Sequence, residues 1–199
     1  MRIQVWFQHM YNTNKIKAKL ASYSPTIKPS QHDAAVALIL REQSNQIELL
    51  LIERAIIPGD PWSGQLAFPG GRVAITDNNL CSTAIRETAE ETGIILNEQM
   101  LIGRLDDETG NLIEVQVACF VFIVENKSKV VLSNEVKDLF WCSLDKVCNP
   151  ALKKTYTIES RPVPAIDILG HERPLLWGLT YRFVNNLSSL LKLPPSNTE

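Results

Sequence analysis

Two apolar runs set the pattern of this chain. Ala35-Val36-Ala37-Leu38-Ile39-Leu40 and Ile47 to Ile52 are mostly apolar on successive residues rather than on alternate ones. Short runs of this kind predict β-strands buried on both faces. Ser44-Asn45-Gln46 between them is turn-forming, so the two strands are expected to pair as a hairpin. Upstream, Ile16, Leu20 and Tyr23 recur at helical spacing within Asn14 to Tyr23, and Pro25 and Pro29 end that pattern. Residues 1–32 therefore read as an N-terminal appendage to a domain spanning 33–192. The appendage either caps the core or packs against a second subunit. Residues 193–199, with Pro194-Pro195-Ser196-Asn197, read as a frayed tail.

Ala55 to Gly71 carries three prolines and four glycines, which predicts a long loop. Trp62, Leu66 and Phe68 within it argue for an ordered loop with a task. Asn79 to Thr92 reads as a helix. Asp77 or Asn78 suits its N-cap and Gly93 its C-terminal turn. Cys81, Ile85, Ala89 and Thr92 are expected to face the sheet. Leu101 to Leu105 and Leu112 to Val124 predict further strands, and Leu144 to Cys148 a short helix. Leu175 to Leu191 predicts an amphipathic helix with Pro174 in its first turn. Strands and helices interleave without internal repeats, so the expected class is α/β (α+β): a sandwich of helices around a mixed sheet.

Composition narrows the function. The 199 residues suffice for one domain with a sizeable core, and the formal net charge is -2. That balance gives no electrostatic basis for a nucleic-acid or membrane-surface partner. No apolar run approaches the roughly 20 residues of a membrane span. The first residues lack an apolar signal core, so a cytoplasmic protein is expected. Ile3-Gln4-Val5-Trp6-Phe7-Gln8 is similar to part of a homeodomain recognition helix, but His9-Met10-Tyr11 follows in place of the Asn and Arg residues that read DNA. It reads as a short apolar element. Cys81, Cys119, Cys142 and Cys148 form no C-x-x-C pair, which predicts reduced thiols rather than a zinc site. His9, His32 and His171 are scattered.

The chemistry concentrates in Arg86-Glu87-Thr88-Ala89-Glu90-Glu91-Thr92-Gly93. At roughly 100° per residue, Glu87, Glu90 and Glu91 share one helix face, where like charges repel. A divalent cation relieves that repulsion, and carboxylate oxygens are the ligands that Mg²⁺ and Mn²⁺ prefer. Arg86 lies beside Glu87 and at i, i+4 to Glu90, placed to hold a carboxylate in a fixed orientation. Gly70 and Gly71 permit a tight turn and close backbone approach in front of the helix.

Phe68-Pro69-Gly70-Gly71, Asp77 and Arg86 to Ile94 together resemble the Nudix box, the loop–helix–loop signature of hydrolases acting on nucleoside diphosphates linked to another group. Here eight residues separate Asp77 from Arg86, and an aspartate stands in place of the usual glutamate. Both departures resemble the branch that hydrolyses coenzyme A. The resemblance implies a Nudix-type α/β/α sandwich and cleavage of a pyrophosphate by water with Mg²⁺ or Mn²⁺. It implies metal ligation by Glu87, Glu90, Glu91 and the carbonyl of Gly71. Glu90, Glu91 or a carboxylate from a later loop, Glu135, is implied as general base. Asp106, Asp107 and Glu108 form a further acidic cluster of solvated character.

Leu50 to Ala55 followed by Gly64 to Gly71 is similar to an additional motif of coenzyme A pyrophosphatases, and Leu176-Trp177-Gly178-Leu179-Thr180 again resembles that branch. The motif's second arginine is missing: Gly59-Asp60-Pro61-Trp62-Ser63 occupies its place. Arg54 and Gly70 are expected to contact substrate, and Trp62 to stack on an adenine or to anchor the loop. Three readings stay open. They are a pyrophosphatase of coenzyme A, yielding 3′,5′-ADP and 4′-phosphopantetheine, a pyrophosphatase of ADP-ribose, a dinucleotide or a nucleoside triphosphate, and an idle nucleotide-binding domain. The implied partner is a small nucleotide, with a homodimer as an assembly common in the family.

Overall fold

The computed structural model describes residues 11–28, 33–110, 114–125, 129–158, 160–170 and 173–192. The homeodomain-like stretch, all three histidines, Leu112 and the tail lie outside the described residues. Helix α1 spans Thr13–Ala21, and the Asn12 side chain caps it by accepting from Lys15 N–H at 2.9 Å. Strands β1 (Ala34–Gln43) and β2 (Gln46–Arg54) form the expected hairpin. Ser44 and Asn45 turn the chain with φ of 50° and 64°, the left-handed conformation that tight hairpin turns require.

The long loop then contributes two short strands, β3 (Leu66–Ala67) and β4 (Gly70–Arg72), before helix α2 (Leu80–Thr92). Next come β5 (Leu101–Arg104), β6 (Glu108–Thr109), β7 (Gln116–Val124) and β8 (Val136–Ser143), then helix α3 (Leu144–Val147). A separate hairpin, β9 (Lys153–Ile158) with β10 (Arg161–Ile166), precedes helix α4 (Gly178–Lys192).

Strands β1 to β8 form one eight-stranded sheet along the order β3-β2-β1-β7-β5, with β4 on β1, β6 on β7 and β8 on β2. β1 and β7 run parallel and the other pairs antiparallel, so the sheet is mixed. Side-chain alternation splits the central strands between two cores. Ala35, Ala37, Ile39, Leu50 and Ile52 face α2 through Ala84. Leu38, Leu40, Leu49 and Leu51 face the other way, onto Ile16 and Leu20 of α1, Leu144 and Val147 of α3, and Phe183 and Leu187 of α4. The unbroken apolar runs are the signature of this double burial, and the result is an α/β/α sandwich.

α1 is built into the core: Leu20 lies so close to Gly103 of β5 that any β-carbon there would come within 2.9 Å of it. The sequence pattern predicts neither the short strands β3, β4 and β6 nor the three longer ones, β8, β9 and β10. β8 sits outside β2 with half-buried residues and carries Lys137 and Asp138 at its start, so its apolar pattern is weak. β9 and β10 pair only with each other, and Pro162 and Pro164 in β10 argue against a strand except at an edge. α4 starts at Gly178, three residues later than expected. Leu176 instead exchanges two backbone hydrogen bonds with Ile166, at 2.9 and 3.0 Å, so Pro174 precedes the helix in an extended lead-in rather than standing in its first turn.

Candidate active site

α2 presents the glutamates, and its ends fix how. Asn79 caps it, accepting from Ser82 N–H at 2.8 Å while Ser82 Oγ accepts from Asn79 N–H at 3.0 Å. Neither Asp77 nor Asn78 takes that role. Asp77 is drawn away to Arg86, whose Nε and Nη2 donate to its two oxygens at 2.9 and 3.0 Å. Thr83 Oγ1 and Ala74 N–H add donors at 2.8 Å each. These hydrogen bonds, Arg86's foremost, hold the Asp77 carboxyl well below the usual carboxylate range. Gly93 closes the helix at φ 71°, donating to Ala89 O at 2.9 Å.

The sheet-facing side of α2 is rotated from the expected one. Thr83, Ala84, Thr88, Glu91 and Thr92 are buried, Cys81 and Ile85 are half-buried on the same core, and Ala89 is half-exposed. Thr88 and Thr92 tolerate burial because each hydroxyl donates to the carbonyl four residues back, at 2.7 Å. Glu91 is therefore not on a solvated face: it is 4% exposed. Its Oε2 accepts from Gly70 N–H at 2.9 Å, and Arg54 Nη1 stands 3.7 Å from Oε1. Burial pushes its pKa up to about 7 against these two partners, and the charges of Glu87 and Glu135 push the same way. Glu87 is raised too, by burial first and by Glu90 and Glu135 as well, with Arg86 opposing.

Arg86 stands behind the cluster. Nη1 donates to Glu87 Oε1 at 2.8 Å and to Glu90 Oε2 at 2.9 Å, while Nη2 also reaches Arg72 O at 3.1 Å. One planar guanidinium thus ties the buried Asp77 to two carboxylates and to β4. Glu135 arrives from the segment before β8. Val131 and Ser133 N–H donate to Thr92 O and Glu91 O at 2.8 and 3.0 Å, and Ala55 N–H donates to Glu135 O at 2.8 Å. The chain is thereby stitched to the end of α2 and to the end of β2.

A cleft of about 740 Å³ opens over this arrangement, lined by Glu87, Glu90, Glu91, Glu135, Arg54, Trp62, Gly70 and Gly71 together. All the expected site residues except Arg86 line it. Trp177, Thr180 and Tyr181 line it as well. Asp60 was not singled out by the sequence. It pairs with Arg54 Nη2 at 3.0 Å and accepts from Trp62 N–H at 3.0 Å. An aspartate two residues before a loop aromatic is a turn-forming signal that pointed to this contact. Asp106, Asp107 and Glu108 do not join the glutamates. Asp106 accepts from Thr26 N–H at 2.6 Å and Asn186 Nδ2 at 2.8 Å, Asp107 from Lys28 N–H at 2.8 Å, and Glu108 pairs with Arg182 at 2.9 Å. They clasp the segment after α1 and helix α4 to the core.

Among the described residues, no three side chains of Asp, Glu, His or Cys converge on a single point suited to a cation. The donors nevertheless fit a hard divalent ion in chemistry and charge. Glu87, Glu90, Glu91 and Glu135 are all oxygen donors, and their mutual repulsion is what such an ion relieves. Gly71 packs against this set: a β-carbon there would sit 2.5 Å from the Glu87 carboxyl group. Gly71→Ala is expected to displace Glu87 and lower kcat roughly a hundredfold while the protein stays folded. Gly70 is different. Its φ is 153°, and a β-carbon would meet Ala35 O at 2.4 Å, so Gly70→Ala is expected to cost about 2–4 kcal/mol in a denaturant melt.

Comparison with known proteins shows the family. The NUDIX domain model matches residues 30–165, two-thirds of the chain. A probable nudix hydrolase of Schizosaccharomyces pombe is 30% identical over 168 residues, covering 81% of this chain and 56% of its own length. A peroxisomal coenzyme A diphosphatase of Caenorhabditis elegans is 32% identical over 143 residues, covering 68% of this chain and 58% of its own. The chain thus spans little more than half the length of these relatives. The crystal structure of a MutT/nudix family protein from Enterococcus faecalis aligns with a TM-score of 0.54 at 15% identity, over 96% of this chain and 72% of that one, a likeness of fold alone. The chain belongs to the NUDIX family.

Proposed function

We propose that this chain is a pyrophosphohydrolase dependent on Mg²⁺ or Mn²⁺, and that its substrate is coenzyme A or a derivative of it. The observation that carries the hydrolase reading is the buried Glu91, its pKa raised to about 7, set among Glu87, Glu90 and Glu135 on one cleft. Glu87, Glu90, Glu91 and the Gly71 carbonyl would hold the cation. When bound, it supplies neutralisation of the phosphate oxygens and a water of lowered pKa. Arg86 keeps Glu87 and Glu90 aimed at the cleft. Gly70 N–H and Arg54 keep Glu91 in place. Glu91, whose raised pKa suits the role, or Glu135 accepts the proton of the attacking water. Trp62, its backbone fixed by Asp60, offers a ring for the adenine.

Coenzyme A is supported by the named activity of the C. elegans relative and by the placement of Trp177 to Thr180 on the cleft wall. One observation favours ADP-ribose or a dinucleotide instead. Asp60 stands near the place of the second arginine and pairs with Arg54, so the charge of Arg54 is already compensated. A hydrolysis screen with Mg²⁺ and Mn²⁺ over coenzyme A, dephospho-coenzyme A, ADP-ribose, NADH and nucleoside triphosphates separates the readings. Coenzyme A is expected to give the highest kcat/KM. A dominant rate with ADP-ribose and none with coenzyme A moves the assignment to the second reading.

A further inference from the structure

Four arginines line the cleft: Arg54, Arg72, Arg161 and Arg182. Two are committed to carboxylates, Arg54 to Asp60 and Glu91, and Arg182 to Glu108. The Arg72 side chain forms no ion pair with a described residue either, but Arg72 follows Gly71, which packs on Glu87, and its carbonyl accepts from Arg86, so its strand stands at the carboxylate end. Arg161 lies on a different element. It opens β10 on a hairpin outside the main sheet, directly after the turn residue Ser160 at φ 64°, and it forms no ion pair with any described residue.

The strand that carries it is stiff. Pro162 and Pro164 fix their backbone torsions, and both stand in register with β9, opposite Thr157 and Thr155. The far end of β10 is anchored: Ala165 and Ile166 are fully buried, and Ile166 exchanges hydrogen bonds with Leu176 just before α4. An exposed, planar guanidinium on a rigid support is suited to a doubly charged oxyanion such as a phosphate, two of whose oxygens it meets with parallel hydrogen bonds. Trp177 and Tyr181 line the same cleft and add aromatic faces to that of Trp62 for a nucleoside.

We infer that Arg161 receives a phosphomonoester borne on the ribose of the substrate, away from the bond that is cut. It thereby does from the β9–β10 hairpin what the missing arginine of the 59–63 loop does not. This rests on the nucleoside-diphosphate reading of the site and sharpens its substrate class: a nucleotide with a third phosphate on its sugar. The 3′-phosphate of coenzyme A and the 2′-phosphate of a phosphorylated dinucleotide share this chemistry.

The test compares substrates that differ by that phosphate alone. Wild type, Arg161→Ala and Arg161→Lys are assayed with coenzyme A against dephospho-coenzyme A, and with NADPH against NADH. Loss of one charged hydrogen-bonding partner at an exposed site is expected to raise KM for the phosphorylated substrate about tenfold, with kcat nearly unchanged. The phosphate-free partner is expected to be unaffected, and Arg161→Lys to recover part of the difference. Coenzyme A and NADPH arms identify which ribose position is read. Equal effects on both members of each pair, or no effect, overturn the inference. Calorimetric binding of 3′,5′-ADP against AMP keeps the test independent of turnover. Wild type is expected to prefer 3′,5′-ADP about tenfold and Arg161→Ala to lose that preference. A retained preference without hydrolysis rejects the enzyme reading and leaves the phosphate site standing. Equal affinities in wild type reject the phosphate site itself.

Discussion

Glu91→Gln is expected to lower kcat for pyrophosphate hydrolysis by roughly a thousandfold while the protein stays folded. The amide keeps the size of the side chain and still accepts from Gly70 N–H. It removes a negative charge and a titrating oxygen from the centre of the carboxylate set. Glu90→Gln is expected to lose turnover comparably, but through an exposed group whose removal barely touches stability. Glu91→Gln carries a second signature. The native carboxyl titrates near 7 and its ordinary value is 4.5. Between these values the folded protein holds a proton that the unfolded chain has lost. Stability of the cation-free protein therefore falls as pH rises through that window and levels off above it, by at most about 3 kcal/mol.

Asp77 works in the opposite sense. Its native value is depressed, so its contribution is present above about 3.8 and is lost as pH falls below that. Thermal melts at pH 5 and pH 8 without divalent cations separate the two. Wild type should be less stable at pH 8, and Glu91→Gln should remove most of that difference, the rest coming from Glu87 and the other raised carboxyls. Near-normal turnover in Glu91→Gln, or the same pH slope in both proteins, counts against the role given to this residue.

Arg86→Ala is expected to cost about 3 kcal/mol of stability and to reduce kcat by at least a hundredfold. The stability loss comes from Asp77. Its side chain is 4% exposed, and without Arg86 it keeps a buried charge with only the Ala74 N–H and the Thr83 hydroxyl for support. Arg86 itself is 27% exposed, which holds the figure at the lower end for a broken buried pair. The activity loss comes from Glu87 and Glu90, which lose the donor that orients both. Arg86→Lys is not expected to rescue either effect, because one ammonium cannot span two oxygens of Asp77 and two further carboxylates. Adding Asp77→Asn to Arg86→Ala should restore much of the melting temperature and none of the turnover. A double variant that regains activity would falsify the orienting role.

The fold and the site differ in how far the sequence discloses them. The doubly apolar runs at 35–40 and 47–52 predicted a sheet covered on both faces, because only such burial tolerates consecutive aliphatic residues. The Ser44-Asn45 turn follows from residues able to adopt the left-handed conformation. β9 and β10 were illegible for a physical reason: prolines and exposed polar residues describe an edge hairpin no better than a loop. Glu91 shows the same limit at the site. Spacing placed it on a helix face with Glu87 and Glu90, but spacing does not tell which edge of that face turns toward the sheet. The decisive contacts on Glu91, from Gly70 N–H and Arg54, reach the helix from the loop and from the end of β2 over stretches that no local pattern encodes. Asp77 shows how a local rule yields: it had the right type for an N-cap, and a stronger charged partner took it.

The central claim is that the carboxylates around Glu91 run a cation-dependent cleavage of pyrophosphate. It is tested most directly by measuring coenzyme A hydrolysis against Mg²⁺ concentration in wild type and Glu91→Gln. Wild-type turnover is predicted to be nil in EDTA and to rise to saturation with Mg²⁺, while Glu91→Gln stays near the baseline throughout. Wild-type turnover that persists undiminished in EDTA, or a Glu91→Gln curve that overlays the wild-type one, contradicts it.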